Sequence, residues 1–301
     1  MEGSKGELGM VKRRDVPCNL CGSAEFNVRY PDELGDALPP FNHDFSPATH
    51  KTFQIVQCRS CGLVFTNPMP HLEPFYADTV DPVYLLSERQ RRATARHAVA
   101  KIATLEPRGR LLDVGCGTGV FLDTASERYD VEGVELSGWA ADIASQRRTV
   151  HRRPLSELAF QERFDVVTLW TVIEHLEDPR AELKAVHAAL APGGLVVIYT
   201  GDVGAWLARL LGKKWWEYKG MHLFYFSRRT LTRMLGDVGF DVVRCENHRV
   251  YFQLFSLAKS LGAYRIGRLV RPLLSLPRIR DIMIPLTLSS QMVLYARKRR
   301  S

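Results

Sequence analysis

The sequence lacks the long apolar runs that mark membrane insertion or export. No uninterrupted apolar stretch among its 301 residues approaches the ~18 residues of a membrane-spanning helix. Residues 1–15 contain no apolar stretch like the core of a signal peptide, and no internal repeat or low-complexity tract is present. We therefore expect a cytoplasmic protein. Its 46% hydrophobic residues suffice for one large domain, alone or with a smaller one.

The body of the chain also has little net charge. The formal net charge is +8, but the runs at 12–14 and 297–300 supply seven of the positive charges, so the rest is nearly balanced. The basic composition is therefore weak support for nucleic-acid binding. Cysteines are few: there are six, four of them in spaced pairs, which fits a compartment that keeps thiols reduced.

A strand that runs into a glycine-rich turn is the centre of the sequence. Leu111, Leu112 and Val114 form the short apolar run of a strand buried on both faces, and glycines follow at alternate positions of residues 115–119. A helical stretch begins at Val120, so the turn opens the N-terminus of a helix whose N–H groups face a ligand. The pattern predicts a site for a small polar ligand.

Two acids narrow the choice of ligand. Glu135 ends a second strand and lies 22 residues after Asp113, close to the ~20-residue offset at which a carboxylate meets ribose hydroxyls. A dinucleotide fingerprint would place its third glycine at position 120, which is Val120 here. Asp113 would repel a pyrophosphate and attract a cationic amino-acid tail. A cation-bearing nucleoside is therefore favoured over NAD, and a Rossmann-like domain for some other nucleotide is the alternative.

At these residues the chain resembles the class I S-adenosylmethionine-dependent methyltransferases. Their acid-x-Gly-x-Gly-x-Gly turn is matched by residues 113–119, and their acid after the second strand by Glu135. Residues 164–179 match the fourth strand and its loop, and residues 190–199 match the turn into the fifth strand. The resemblance covers roughly residues 70–245. It implies a Rossmann-like, seven-stranded, mostly parallel sheet with helices on both faces, and S-adenosylmethionine as cofactor.

The resemblance also implies the residues that bind the cofactor. They are Tyr84, Asp113, Gly115, Cys116, Gly117, Thr118, Gly119, Glu135, Leu136, Leu155 and Trp170. Relatives often have an acid near Leu155 that holds the adenine amino group, and that acid is missing here. Core packing is the alternative for Trp170, and simple packing at a domain joint is the alternative for Tyr84.

Two Cys-x-x-Cys-Gly motifs near the start predict a metal site. Cys18 and Cys21 form one pair and Cys58 and Cys61 the other, and the following glycines permit a tight turn. Four thiolates make a closed site, which favours structural zinc over a redox or catalytic role. The chain resembles, in this region, bacterial methyltransferases with an N-terminal zinc ribbon, among them sugar C-methyltransferases. In those enzymes the ribbon forms one side of the active site.

The remaining pattern predicts the organisation of the chain. Residues 1–14 are expected to be a disordered tail, residues 15–72 a zinc-ribbon module and residues 73–301 the methyltransferase domain. Alternating strands are predicted near 110–115, 131–136, 149–152, 164–170 and 195–200, with a final antiparallel pair at 240–249 and 291–298. A helix is predicted at 85–105, a lid with an amphipathic helix over 203–211 at 201–227, and a helical insertion at 253–286. Ser227 is expected to cap a helix that ends near Gly239, and residues 53–57 and 63–66 are expected to form hairpin strands around the second cysteine pair.

Two histidines are candidate catalytic residues. His175 follows the fourth strand, with a capped turn as the alternative interpretation. His222 lies in the lid segment, after the lid helix, where the sugar C-methyltransferases have a Glu-His pair that is thought to move protons. Met221 replaces the glutamate of that pair here. We favour His222 as a general base, because a neutral imidazole is suited to take a proton near pH 7.

The leading functional prediction is a methyltransferase acting on an oxygen or carbon of a small polar metabolite, such as a sugar or glycan precursor. Lys213, Lys214 and nearby tryptophans could hold a nucleotide diphosphate or sugar ring, or serve a buried lid. One alternative is an RNA or protein methyltransferase that reads a macromolecule with the ribbon, although the ribbon has few basic residues. Another is a cofactor-binding scaffold. The apolar stripe within 266–274 is expected to dock on the core, on a second copy of the chain or on an anionic membrane.

Overall fold

The structure is a computed structural model that describes residues 11–39, 50–253 and 282–300. The strands of the described residues are, in chain order, β1 (Arg13–Arg14), β2 (Phe26–Tyr30), β3 (Ile55–Cys58), β4 (Val64–Thr66), β5 (Met69–Pro70), β6 (Arg110–Val114), β7 (Asp130–Val134), β8 (Thr149–His151), β9 (Phe164–Trp170), β10 (Leu190–Gly201), β11 (Phe224–Tyr225), β12 (Phe240–Glu246), β13 (Arg249–Gln253), β14 (Met283–Thr287) and β15 (Gln291–Lys298). The α-helices are α1 (Glu73–Tyr76), α2 (Pro82–Leu86), α3 (Glu88–Ile102), α4 (Val120–Ala125), α5 (Gly138–Ser145), α6 (Leu155–Leu158), α7 (Pro179–Ala189), α8 (Trp206–Leu211) and α9 (Arg228–Asp237).

Seven strands form the central sheet, in the spatial order β12, β15, β10, β9, β6, β7, β8. β15 runs antiparallel to both of its neighbours, and the other adjacent pairs are parallel. Consecutive residues of the central strands point to opposite faces of the sheet and pack into two different hydrophobic cores. Val167 packs with residues of α7 in one core, and Val166 packs with residues of α3 and α4 in the other. Helices therefore cover both faces, and the fold predicted from the sequence is confirmed.

The predicted helix boundaries follow local capping. Ser227 and Thr230 form a reciprocal capping box at the start of α9, and the chain leaves that helix through Gly239 with a φ of 101°. The helix predicted at 85–105 is instead two helices. The Asp81 side chain accepts a bond from Tyr84 N–H to start α2, and α3 begins only after Ser87.

The N-terminal module is a small antiparallel sheet to which the larger domain adds a strand. Its order is β11, β4, β3, β2, so the last part of the predicted lid, which contains β11, completes the sheet that begins in the ribbon. Phe224 pairs with Phe65 and Tyr225 with Val64. The hairpin strands predicted around the second cysteine pair are confirmed as β3 and β4. The two modules thus share one sheet.

Two expectations differ from the structure. Arg13 and Arg14 were expected in a disordered tail; they form β1, because Arg13 pairs with Asp32 and Asp36 and β1 pairs with β5. Residues 1–10 lie outside the described part. The insertion predicted as helical at 253–286 begins and ends in the antiparallel strands β13 and β14. Its remainder, with the apolar stripe and the docking alternatives, lies outside the described residues. Among the helices that are described, none has the length and hydropathy to cross a membrane.

Candidate active site

The glycine turn lies at the carboxyl end of β6, at the edge where ligands of open parallel sheets bind. Gly115, Gly117 and Gly119 all have positive φ, at 71°, 54° and 83°. A Cβ on Gly115 would lie 2.5 Å from a methyl group of Val172, and one on Gly117 would lie 2.9 Å from the Tyr84 hydroxyl oxygen. Only glycine fits both the backbone conformation and these approaches.

Asp113, just before the turn, is a buried carboxyl group without a basic partner in any described ion pair. It is 2% exposed, and the Thr168 hydroxyl donates to its Oδ1 at 2.6 Å. Burial raises the pKa of Asp113 to about 8; Thr168 opposes this rise and the nearby Glu135 adds to it. A bound cation would restore the ionised form.

Glu135 lies beside the turn and holds its shape. Its Oε2 accepts from Gly117 N–H at 2.7 Å and its Oε1 from Ser137 N–H at 2.8 Å. Burial raises the pKa of Glu135, and these two N–H groups lower it. Each carboxylate oxygen has a second lone pair, so Glu135 retains capacity to accept from a diol.

These residues fit a ligand that is cationic at one end and has hydroxyls at the other. Asp113 supplies an uncompensated buried carboxyl group, and Glu135 supplies acceptor oxygens. Thr118 Oγ1 is buried and has no hydrogen-bond partner within the described ranges. Tyr84 lies against the turn, with the Arg91 guanidinium 3.4 Å from its ring centroid. The arrangement matches S-adenosylmethionine, whose amino-acid tail carries an ammonium group and whose ribose carries a diol.

The other predicted cofactor residues differ in their surroundings. Cys116 is buried, and its Sγ lies 2.6 Å from the position that a Cβ on Gly133 would take, so the thiol packs on β7. Leu155 belongs to the core and Leu136 is half-buried. The Trp170 ring lies 5.1 Å from that of Phe121 and 5.5 Å from that of His248. A cofactor role for these side chains stays a prediction.

The structure brings the two predicted histidines together beyond the ends of β9 and β10. The rings of His175 and His222 are perpendicular, with centroids 4.6 Å apart. His175 Nδ1 lies 3.0 Å from the Met221 carbonyl oxygen and 3.2 Å from the Tyr76 hydroxyl. Because a carbonyl only accepts, the first contact places a proton on Nδ1 of His175. His222 is 6% exposed, so both rings lie in a largely buried cluster.

Two carboxyl groups complete this cluster. Glu174 is 2% exposed; burial raises its pKa to about 8, its own backbone N–H opposes the rise, and Glu217 adds to it. Glu217 Oε2 lies 3.6 Å from His222 Nδ1. Sequence reasoning missed Glu217, because it looked for the acid next to His222, where Met221 stands. The only available signal was an acid five residues before the histidine in an irregular stretch.

A third histidine was also missed. His248 follows β12 and packs on Tyr199, with ring centroids 4.7 Å apart, and on Trp170. Burial, together with the nearby His97, lowers the pKa of His248 to about 4. It is therefore a neutral part of the wall at this edge of the sheet.

The lid joins the ribbon rather than standing free. Its helix α8 is shorter than predicted and leaves Trp206 and Leu210 exposed. Lys213 forms an ion pair with Glu33 of the ribbon at 2.9 Å, and Trp215 is fully buried. Of the two interpretations of this segment, the structure favours a buried lid for Lys213 and Trp215.

The four predicted metal ligands lie together. The sulfurs of Cys18, Cys21, Cys58 and Cys61 are all within 4.8 Å of one another, and two of the pairs are 3.5 Å apart. A tetrahedral ion with ~2.3 Å bonds to sulfur would separate them by about 3.8 Å. In both motifs the glycine N–H bonds to the carbonyl of the first cysteine, and Gly22 and Gly62 have φ of 75° and 80°. The two motifs therefore have the same turn geometry, and together they bring four sulfurs to one point.

The sheet order, the glycine turn and the two acids define a Rossmann-like nucleoside-binding domain. Residues 87–244 match the family model described as a methyltransferase domain. This match spans more than half of the chain, so the chain belongs to the methyltransferase domain family.

Curated relatives and solved structures agree with this membership. The chain is 34% identical over 128 residues to a ubiquinone biosynthesis O-methyltransferase of Idiomarina loihiensis, covering 38% of this chain and 53% of that protein. It is 32% identical over 134 residues to a dTDP-4-amino-2,3,4,6-tetradeoxy-D-glucose N,N-dimethyltransferase of Saccharopolyspora spinosa, covering 42% and 54%. The chain thus spans about half the length of these relatives. A SAM-dependent methyltransferase structure from Archaeoglobus fulgidus shares the fold, with a TM-score of 0.50, 19% identity, and coverage of 72% of this chain and 100% of that one.

Proposed function

We propose that the chain is an S-adenosylmethionine-dependent methyltransferase that acts on an oxygen or carbon atom of a small polar metabolite, such as a sugar or glycan precursor. The observation that carries this proposal is the buried, uncompensated Asp113 beside a glycine turn, with Glu135 18 residues beyond Gly117, directly after β7. A carboxyl group in that position favours a cationic ligand over a phosphate.

The cofactor's place follows from these residues. Asp113 would pair with the ammonium group of its amino-acid tail, and Glu135 would accept from its ribose hydroxyls. Tyr84 covers the turn. When bound, the cofactor supplies a methyl group activated by the positive charge on its sulfur. Alignment of the acceptor with that methyl can contribute roughly 7–11 kcal/mol toward the barrier.

The acceptor belongs at the cluster of Glu174, His175 and His222. Glu174 and His222 are nearly fully buried, and β11, which follows His222, pairs with β4 of the ribbon. An RNA or a protein would have to insert one residue into this buried region next to the ribbon to reach these groups. The burial therefore favours a small acceptor. The relatives named as an O-methyltransferase and a sugar N,N-dimethyltransferase support the same class.

His222 is proposed as the base that takes the acceptor's proton as the methyl is transferred, with His175 as its neighbour in the cluster. A general base typically contributes about 10²–10⁴-fold in rate. We expect His222→Ala to leave cofactor binding intact and to lower turnover at least tenfold. Turnover equal to the wild type would remove His222 from the mechanism.

A zinc ion is proposed for Cys18, Cys21, Cys58 and Cys61. The closed set of four sulfurs offers no open coordination position, so its role is structural. Through β3 and β4 it supports the sheet that β11 joins, next to His222.

The proposal is tested with methyl-labelled S-adenosylmethionine and extracts of cells that lack the protein. Label transferred to a small, dialysable product supports it. Label in RNA or protein would support a macromolecular acceptor instead, and cofactor binding without transfer to either fraction would indicate a scaffold. The His222→Ala variant is the control that links transfer to the proposed cluster.

A further inference from the structure

We propose that Glu217 is the positioning residue for His222, holding its ring by Nδ1 so that Nε2 faces the acceptor. The inference rests on the proposed function and assigns a role to a residue that nothing in the sequence pattern selected. It also restores, from the lid, the carboxylate that the Met221 position does not supply.

The geometry places the two groups within ion-pair distance in a buried setting. Glu217 Oε2 lies 3.6 Å from His222 Nδ1, and the two side chains are 14% and 7% exposed. At such a separation in a low-dielectric environment, a carboxylate strongly favours a proton on the facing nitrogen. The neutral ring then carries its proton on Nδ1, and Nε2 is the basic atom.

Glu217 is itself held in place. The side-chain amide of Gln291, at the start of β15, donates to its Oε1. Gly201, at the end of β10, makes room for it, since a Cβ there would lie 3.0 Å from Glu217 Cγ. Gln291, Glu217 and His222 therefore form a largely buried chain of contacts between two distant parts of the sequence.

The other charges around His222 come from neighbouring elements. They are Glu174 and His175 after β9, and Lys219 in the turn before His222. Burial raises the pKa of Glu217, while Lys219 and the Gln291 amide lower it. A proton on His222 favours the ionised form of Glu217, so the two groups stabilise each other's charge as the reaction proceeds.

In the reaction, the acceptor's O–H or C–H proton passes to His222 Nε2 as the oxygen or carbon forms its bond to the methyl group. The electron pair of the methyl–sulfur bond returns to sulfur, which becomes neutral. His222 becomes an imidazolium whose charge is stabilised by Glu217, and it later releases the proton to water. Glu217 itself touches neither substrate nor methyl group.

The test does not need the acceptor. The His222 ring is titrated by histidine-selective NMR in zinc-loaded wild-type protein, in Glu217→Gln and in Glu33→Gln. Glu33 is the matched control, because it pairs with the same lid through Lys213 and has no described contact with His222. We expect Glu217→Gln to lower the measured pKa of His222 by about one unit, a tenfold change in the protonation equilibrium, and to shift the neutral tautomer away from Nδ1–H. The Glu33→Gln titration should match the wild type.

Two results would overturn the proposal. One is an unchanged titration and tautomer in Glu217→Gln. The other is saturable binding of Mn²⁺ or added Zn²⁺ to zinc-loaded protein that Glu217→Gln and His222→Ala both abolish, because His222 would then be committed to a metal ion. Binding of S-adenosylhomocysteine, measured on the same samples, should be equal in all three proteins. Loss of that binding in the wild type would instead be a failure of the proposed function.

Discussion

The pH dependence of cofactor binding follows from the burial of Asp113. Its pKa in the ligand-free protein is about 8, so the group is mostly neutral at pH 7. If only the carboxylate pairs with the cationic tail, the binding-competent fraction is about one in ten at pH 7 and about one in a hundred at pH 6. The affinity for S-adenosylhomocysteine, which retains that tail, should therefore rise about tenfold per pH unit from 5.5 to 7.5.

The raised pKa of Asp113 also makes the stability of the folded protein depend on pH. The pKa of Asp113 is about 8 in the folded protein, whereas an aspartate in the unfolded chain has a pKa near 3.9. The stabilising contribution of such a group is fully present below pH 3.9, and it is lost as the pH rises through 8. The contribution of Asp113 to the stability of the ligand-free protein should therefore decrease between about pH 4 and pH 8, and bound cofactor should offset this loss by favouring the ionised form.

Calorimetry at pH 5.5, 6.5 and 7.5 measures the effect. Near pH 7, binding should also release about 0.9 proton, read from buffers of different ionisation enthalpy. Asp113→Asn should bind weakly with no such slope, because the amide does not ionise. Asp165→Asn is the matched control: this residue caps the amino end of β6 by accepting from Arg110 N–H, and its removal should leave the slope unchanged. Equal wild-type affinity at pH 5.5 and 7.5 would refute the reasoning.

Two further predictions concern the turn and the metal site. Gly117→Ala places a Cβ 2.9 Å from the Tyr84 hydroxyl and should weaken S-adenosylhomocysteine binding at least tenfold, whereas Gly35→Ala, with a similar φ of 58° and no atom within 4 Å, should not. Equal binding by both variants would contradict the role given to Tyr84. Cys58→Ser should lose about one zinc per chain by elemental analysis and lower the thermal midpoint, since closed four-sulfur sites contribute directly to folding. A variant as stable as the wild type would argue against a structural ion.

The sheet was predictable because its signals are local. In β9, Val166 and Val167 are both apolar, since helices cover each face, and the same holds for Leu111 and Leu112 in β6. Ser227 likewise marked the start of α9 through chemistry confined to one helical turn. The glycine turn and Glu135 were predictable for a similar reason: a fixed spacing follows from the length of a strand, a turn and a helix.

The residues at the proposed acceptor site are brought together by contacts between distant parts of the chain, which no short sequence pattern predicts. Glu217 meets His222 only because the lid folds back toward the start of β15, where Gln291 lies. Phe224 joins the ribbon sheet by pairing with Phe65, more than 150 residues earlier. Arg13 forms an ordered strand because Asp32 and Asp36 lie opposite it. Each of these contacts depends on long-range packing. Local composition therefore predicted neither the strand at Arg13 nor the position of Glu217 beside His222.

The central claim is that Asp113 and Glu135 hold a cationic nucleoside above the glycine turn. It is tested most directly by titrating zinc-loaded protein with S-adenosylmethionine and, separately, with NAD⁺ in a calorimeter. The account predicts saturable one-to-one binding of S-adenosylmethionine, its loss in Asp113→Ala and in Glu135→Ala, and no binding of NAD⁺. Wild-type protein that binds NAD⁺ and has no affinity for S-adenosylmethionine or S-adenosylhomocysteine would contradict it.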